Sequence, residues 1–144
     1  MHRLKARTFA RVLASAWLVG CSAVLTEPEH SDIDRARRDW LERDVRSYAF
    51  EVSSSSSWFP PSGYVRVQVV NRQVVSATAP DGSPIAAYTL TIDEIWTRIL
   101  DARDKGQVNS VSFTSRGVPV ETDLGPWPVD GGVHYSVRAF SPAR

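Results

Sequence analysis

Two stretches of the chain, residues 47–79 and 108–139, consist of short runs in which apolar and polar residues alternate. Alternation of this kind is typical of β-strands that bury one face. Turn-forming residues separate the runs, and strands joined by such short connections pair antiparallel. The pattern therefore predicts two groups of three antiparallel strands.

The predicted strands cover residues 47–53, 64–70, 73–79, 108–115, 118–124 and 133–139. A tight hairpin is expected at Asn71-Arg72, because asparagine tolerates the positive φ that such a turn needs. Pro119 cannot donate a ladder hydrogen bond, so its strand should lie near a sheet edge or begin at this residue.

Two segments with helical periodicity precede the two groups of strands. In the first helix, predicted over 32–46, the residues at helical spacing that should face the core are Ile33, Ala36, Trp40, Leu41 and Val45. Thr91 and Glu94 form a capping box at the start of the second helix, predicted over 92–104. Its buried stripe comprises Ile92, Ile95, Trp96, Ile99 and Leu100. The order αβββαβββ predicts an α+β fold, an antiparallel sheet of about six strands with two helices on one face.

The first twenty residues have the layout of an export signal. Four basic residues precede an apolar run from Val12 to Gly20, and Cys21 follows directly. Nine helical residues rise about 14 Å, whereas the hydrocarbon core of a bilayer is ~30 Å thick, so the run is too short for a permanent transmembrane helix. Residues 1–20 are therefore expected to be a signal peptide.

Cys21, the only cysteine of the chain, ends the sequence Leu18-Val19-Gly20-Cys21. This stretch resembles the lipid-attachment box of bacterial lipoproteins, which implies cleavage before Cys21 and acylation of its thiol. The alternatives are a chance cysteine behind an ordinary signal and a buried core thiol. The resemblance predicts a lipid anchor on the outer face of the cytoplasmic membrane or, since Ser22 is not aspartate, in the outer membrane of a two-membrane host.

The charge of the mature chain argues against nucleic acid as a partner. Residues 1–20 contain 4 of the 17 Lys and Arg and none of the 16 Asp and Glu, which leaves residues 21–144 with a formal charge of −3. Binding to a phosphate backbone requires a basic surface.

Removal of residues 1–20 leaves a length that suits one domain and a tether. Residues 21–31 are predicted to be the lipidated cysteine and a polar tether, in which Pro28 opposes helix formation. Residues 32–140 are predicted to form a single α+β domain, and residues 141–144 a loose tail.

Five short motifs follow one another along residues 36–140: Ser47-Tyr48-Ala49-Phe50, Val65-Arg66-Val67 with Val74-Val75-Ser76-Ala77, Thr91-Ile92-Asp93-Glu94-Ile95-Trp96, Phe113-Thr114, and Gly117-Val118-Pro119. Their order and spacing resemble the domain of unknown function 6174 family of bacterial lipoproteins and secreted proteins. The resemblance implies a fold and an envelope location but no reaction. The chain lacks the Cys-x-Cys pair of that family, since Ser53 to Trp58 occupy the region, and so lacks the metal or redox role that the pair would suggest.

The sequence contains no pattern that predicts a catalytic, cofactor or metal site. The three histidines lie in the signal, the tether and the last strand, so they form no ligand pair. Glu121 and Asp123 alternate on a predicted edge strand and are expected to be solvated acids. His134 and Asp130 could be combined with a serine, but nothing resembles a nucleophile elbow.

Two functional hypotheses remain. The first is a non-catalytic envelope lipoprotein that binds an envelope protein or another envelope component through loops carrying Trp58, Phe59 and Trp127. In the alternative interpretation Trp58 and Phe59 fold back and cap the core. The second hypothesis is a small-molecule or lipid-binding module with an apolar pocket, suggested by the aromatic content that also includes Trp40 and Trp96.

Overall fold

The computed structural model describes residues 30–55, 63–126 and 132–143. The helices in these ranges are α1 (His30–Glu42) and α2 (Ile92–Asp104). The strands are β1 (Tyr48–Ser54), β2 (Val65–Val70), β3 (Gln73–Thr78), β4 (Val108–Phe113), β5 (Pro119–Leu124) and β6 (Val133–Pro142). The predicted order αβββαβββ is therefore confirmed.

The strands form one antiparallel sheet in the order β3-β2-β1-β6-β5-β4. Each predicted group of three is a meander, and the two meanders join where β1 pairs with β6. At this joint Glu51 lies opposite Arg138 and Val52 opposite Val137. The first and the last strand of the described ranges thus occupy the middle of the sheet.

Both helices cover the same face of the sheet. The Trp40 indole of α1 donates a hydrogen bond to Asp93 of α2 over 2.9 Å and lies 5.8 Å, centroid to centroid, from the Tyr48 ring of β1. The Ile92 amide at the start of α2 donates to the Tyr48 hydroxyl over 3.1 Å. These contacts confirm the predicted α+β fold. Neither helix of the described ranges is long and apolar enough to cross a bilayer.

The space between helices and sheet is filled by the alternating residues of the strands. The buried strand residues include Tyr48, Phe50, Val52, Val65, Val67, Val69, Tyr135 and Val137. Trp40 and Trp96 are 3% and 0% exposed, and the Trp96 ring stacks on Phe113 with 4.9 Å between centroids. Trp96 is therefore a core residue, as its helical spacing predicts.

The local turn and capping signals form as predicted. The Glu94 amide donates to the Thr91 hydroxyl over 3.0 Å, which caps α2. Gly106 follows this helix with φ +65°, the left-handed conformation that often ends helices. Asn71 and Arg72 connect β2 and β3 with φ values of 50° and 66°.

The first helix is displaced from its predicted range. It begins at His30 and ends at Glu42, so the prediction that it continues to residue 46 is wrong. The chain turns at Asp44, whose φ is 42° and whose carboxylate accepts hydrogen bonds from Arg46 and Arg72. Leu41, predicted in the core, lies in the last turn and is 51% exposed.

Ser141 and Pro142 belong to the sheet, so the prediction of a loose tail from residue 141 is wrong. Ser141 and Pro142 pair with Ala49 and Tyr48, because β6 continues past a bulge instead of ending at residue 139. Ala139 has a φ of 52° at this irregularity.

Pro119 begins β5, as predicted, but the edge strand on this side is β4. Glu121 and Asp123 therefore lie on an interior strand, contrary to the expectation of an edge position.

Gly117, in the turn between β4 and β5, brings this turn into contact with α1. Its φ is +72°, and its carbonyl accepts a hydrogen bond from the Trp96 indole over 3.1 Å. A Cβ atom at this position would lie 2.0 Å from the Ala36 carbonyl oxygen and 2.7 Å from the Trp40 amide nitrogen. The backbones of the turn and the helix thus touch where a side chain would stand.

Candidate functional site

The candidate residues chosen from the sequence, Cys21, Trp58, Phe59 and Trp127, all lie outside the described residues. The positions that flank the two aromatic loops are described. The Ser55 amide, at the end of β1, donates to the carbonyl of His134, near the start of β6, over 3.1 Å. The β1–β2 and β5–β6 connections therefore leave the sheet at the same end.

The face of the sheet opposite the helices carries a row of three charged residues. Strand pairing places Arg66 of β2, Glu51 of β1 and Arg138 of β6 side by side. Arg66 Nη2 donates to Glu51 Oε1 over 3.1 Å, and Arg138 Nε donates to Glu51 Oε2 over 2.9 Å. We call these residues the Arg–Glu–Arg row.

Hydrogen bonding from both sides fixes the charge of the central carboxylate. The bonds from Arg138 and Arg66 hold the pKa of Glu51 below its ordinary value of 4.5. The Glu51 side chain is 18% exposed, while those of Arg66 and Arg138 are 70% and 57% exposed. Glu51 therefore stays charged at neutral pH and lies beneath the two guanidinium groups.

Tyr64, just before β2, supports one end of this row. The Arg138 guanidinium lies 3.6 Å from the centre of the Tyr64 ring, a close cation–π contact. The Tyr64 and Ser136 hydroxyls are 2.9 Å apart. Ser136 donates its only hydroxyl proton to Glu121 over 2.6 Å, so Tyr64 is the donor to Ser136.

This chain of hydroxyl groups ends on Glu121 of β5. One carboxylate oxygen of Glu121 accepts from Ser136, and the other lies 3.1 Å from His134 Nε2. Asp123, two residues on, is 3.5 Å from the Asn109 amide instead. The two acids that alternate on β5 thus have separate partners and do not form a carboxylate pair.

The geometry around Ser136 differs from that of a serine nucleophile. A nucleophilic serine gives its proton to a histidine that a carboxylate orients, whereas Ser136 bonds directly to the carboxylate of Glu121. The described ranges also contain no group of three His, Cys, Asp or Glu side chains that could hold a metal ion. The arrangement suits binding, with fixed donors and acceptors on an open surface.

A groove of about 350 Å³ lies beside the Arg–Glu–Arg row. The groove is lined by the row, by Tyr64, by Thr78, which pairs with Arg66, and by Ala79, Pro80 and Gly82 in the turn that follows β3. Hydrogen bonds within this turn, from the Ala79 amide to the Ser83 carbonyl and from the Gly82 amide to the Ala79 carbonyl, are 2.8 and 2.9 Å long. The groove is therefore bounded by an ordered turn and a paired sheet.

Comparison with known protein families places this sheet in a family. The sequence pattern of DUF6174, described as a family of unknown function, matches residues 32–142. The chain belongs to the DUF6174 family. No curated protein and no solved structure matches it.

The DUF6174 match begins near the start of α1 and ends with β6. The Arg–Glu–Arg row, Tyr64 and the groove therefore all lie inside the family domain, whereas Cys21 precedes it. The match thus identifies the domain without assigning a ligand or a reaction to its open face.

Sequence reasoning did not single out this row as a site. A signal was present, since Glu51 stands between Phe50 and Val52, and Arg66 and Arg138 likewise follow buried valines. Alternation therefore places all three on the face away from the core. Their alignment depends on the pairing of β1 with β6, which no local pattern specifies.

Proposed function

We propose that this DUF6174 domain is a non-catalytic binding module that a lipid on Cys21 holds at the bacterial cell envelope. The observation that carries the binding part is the open sheet face, where the Arg–Glu–Arg row borders a groove. The basic start of the chain, its short apolar run and the solitary Cys21 support the anchor.

The partner that we propose is another envelope protein. We expect the apolar contacts with this partner to come from Trp58, Phe59 and Trp127 of the DUF6174 chain. Large aromatic residues in loops often dominate protein interfaces. Both loops start from the sheet end where Ser55 bonds His134. The Arg–Glu–Arg row lies about 10 Å from that end, three strand residues away. A single partner can therefore contact the loops and the row together.

The anchor is tested by replacing Cys21 with alanine. The thiol is the acylated group, so Cys21→Ala should abolish lipid labelling and lipoprotein-type cleavage, while the wild type should start at an acylated Cys21. Intact-mass measurement of the membrane-purified proteins decides the question. An unmodified Cys21, or a retained signal peptide in the wild type, would refute the anchor.

Binding is tested by crosslinking in intact cells, followed by capture of the full chain from native membranes. The doubly substituted Trp58→Ala/Trp127→Ala chain should lose a protein that the wild type captures. Val75→Ala is the matched control, since Val75 is an apolar residue that is 58% exposed on edge strand β3. If the double variant and the control capture the same proteins as the wild type, the loops are not the contact surface.

A further inference from the structure

The Arg–Glu–Arg row has an excess of positive charge, because two guanidinium groups share one carboxylate. Arg66 and Arg138 each use one nitrogen to bond a different oxygen of Glu51. A guanidinium carries more N–H donors than these bonds use. Within the described residues, Glu51 is the sole hydrogen-bond acceptor of both side chains. Both arginines thus retain donors for another acceptor.

Arg138 is also held in place before any ligand arrives. Arg138 is fixed by its bond to Glu51 and by its contact with Tyr64, 3.6 Å from the ring centre. Tyr64 is in turn bonded to Ser136. A donor that is already ordered loses little conformational entropy on binding, so more of its interaction energy appears as affinity.

The two arginine side chains of the row are more exposed than the Glu51 side chain, which favours the approach of an anion. The arginine side chains are 70% and 57% exposed, and the Glu51 side chain between them is 18% exposed. A ligand that enters the groove therefore meets guanidinium groups first, and the carboxylate lies beneath them, already neutralised by its own bonds.

We infer that the groove binds an oxyanion, a carboxylate or phosphate monoester group, through Arg66 and Arg138. Guanidinium forks match the geometry of both groups. The single bond that each arginine makes to Glu51 leaves its other nitrogens available for such a group. A groove of about 350 Å³ lies at the small end of ligand sites.

The test is a titration of the full chain in uncharged dodecyl maltoside micelles, followed by NMR of the arginine Nε–H signals. Benzoate and phenylphosphate are the carboxylate and phosphate probes, and benzyl alcohol is the neutral control. Benzoate or phenylphosphate should shift the Arg138 and Arg66 signals in a saturable manner, and the tighter probe identifies the preferred group. Benzyl alcohol should not. Equal responses to all three compounds, or none to the anions, would overturn the inference.

Variants locate the site. Arg66→Ala and Arg138→Ala should each weaken anion binding at least about tenfold, because each removes a charged fork. Arg116→Ala removes the same charge from an exposed position in the β4–β5 turn and should change the affinity less than about twofold. Comparable losses in all three variants would show general charge attraction and refute the site.

Two variants, Arg138→Lys and Arg66→Ala, distinguish unfolding of the domain from loss of anion binding. Lysine keeps the charge but not the fork, so weaker binding with an unchanged circular dichroism spectrum still supports the site. Arg66 is largely exposed, so its replacement should not unfold the domain.

This inference deepens the proposed function by naming the chemistry that the open face recognises. The two are tested separately, because the titration uses purified protein and small probes, whereas partner capture depends on the cell and on the aromatic loops. If the titration is positive but no partner is captured, only the proposed partner is refuted. If a partner is captured but the anions do not bind, only the oxyanion site is refuted.

Discussion

Gly117→Ala should destabilise the domain strongly without altering the open face of the sheet. The left-handed φ of +72° costs a residue with a side chain about 1–2 kcal/mol. The added Cβ would stand 2.0 Å from the Ala36 carbonyl oxygen, where ordinary contacts are about 3.5 Å. Displacing the turn from α1 is an overpacking strain of about 1–3 kcal/mol.

The expected loss is therefore about 2–5 kcal/mol in the free energy of unfolding, a large part of the roughly 5–15 kcal/mol that stabilises a domain. It should lower Tm by about 8–20 °C, at about 4 °C per kcal/mol for a domain of this size. Urea unfolding of the full chain in micelles, followed by circular dichroism, measures the free energy.

Gly106→Ala is the matched control. Gly106 has a similar φ of +65°, but no atom lies within 4 Å of the position of its Cβ. Gly106→Ala should therefore lower the free energy of unfolding only by the cost of the left-handed φ, about 1–2 kcal/mol. If the two variants lose the same free energy to within about 0.5 kcal/mol, the contact between the turn and α1 is not tight and the reasoning fails.

Two further changes test the buried and the exposed polar contacts. Tyr48→Phe leaves the buried Ile92 amide without its acceptor and should cost about 1–3 kcal/mol in urea unfolding. Burial raises the pKa of Tyr48 to about 12, so ionisation of this side chain in the unfolded state should lower the stability of the wild type between pH 10 and 12. The decline should be smaller in the variant, which keeps the raised pKa values of Tyr88 and Tyr135, and an equal decline in both proteins would contradict the prediction. Hydrogen bonds from Arg46 and Arg72 lower the pKa of Asp44, so its ion pairs stabilise the fold above the ordinary value of 3.8 and are lost as the pH falls through the lowered pKa. Asp44→Asn should therefore flatten the acid limb of the stability curve relative to the wild type, and parallel acid limbs would refute this.

Structural features that one short segment determines could be predicted from the sequence. Thr91 and Glu94 define the start of α2, and the alternation of Val65, Val67 and Val69 defines the buried face of β2. The apolar spacing predicts the end of α1 too late, because this spacing continues to Val45 whereas the backbone turns at Asp44. At this turn Asp44 bonds to Arg72, which lies in the β2–β3 hairpin and is distant in the sequence.

The Arg–Glu–Arg row could not be predicted either, because it too depends on residues that are distant in the sequence. Glu51 by itself resembles any solvated acid on a strand, and its pairing with Arg66 alone would be an ordinary surface ion pair. The second arginine comes from β6, and that pairing brings together residues from opposite ends of the domain. The bulge at Ala139, which carries β6 on to Pro142, depends on the same pairing.

The pairing of the first strand with the last also sets the order in which this sheet can be completed. Hairpins such as β2–β3 and β4–β5 close over a few residues, but the pairing of Val52 with Val137 needs almost the whole chain. Contacts between distant positions form slowly, because the intervening chain must be ordered first. Until residues 133–142 are available, β1 has an unpaired edge in the middle of the future sheet. A ribosome that releases this chain from its N-terminus therefore releases the first meander well before β6, and the sheet becomes whole only with that final strand.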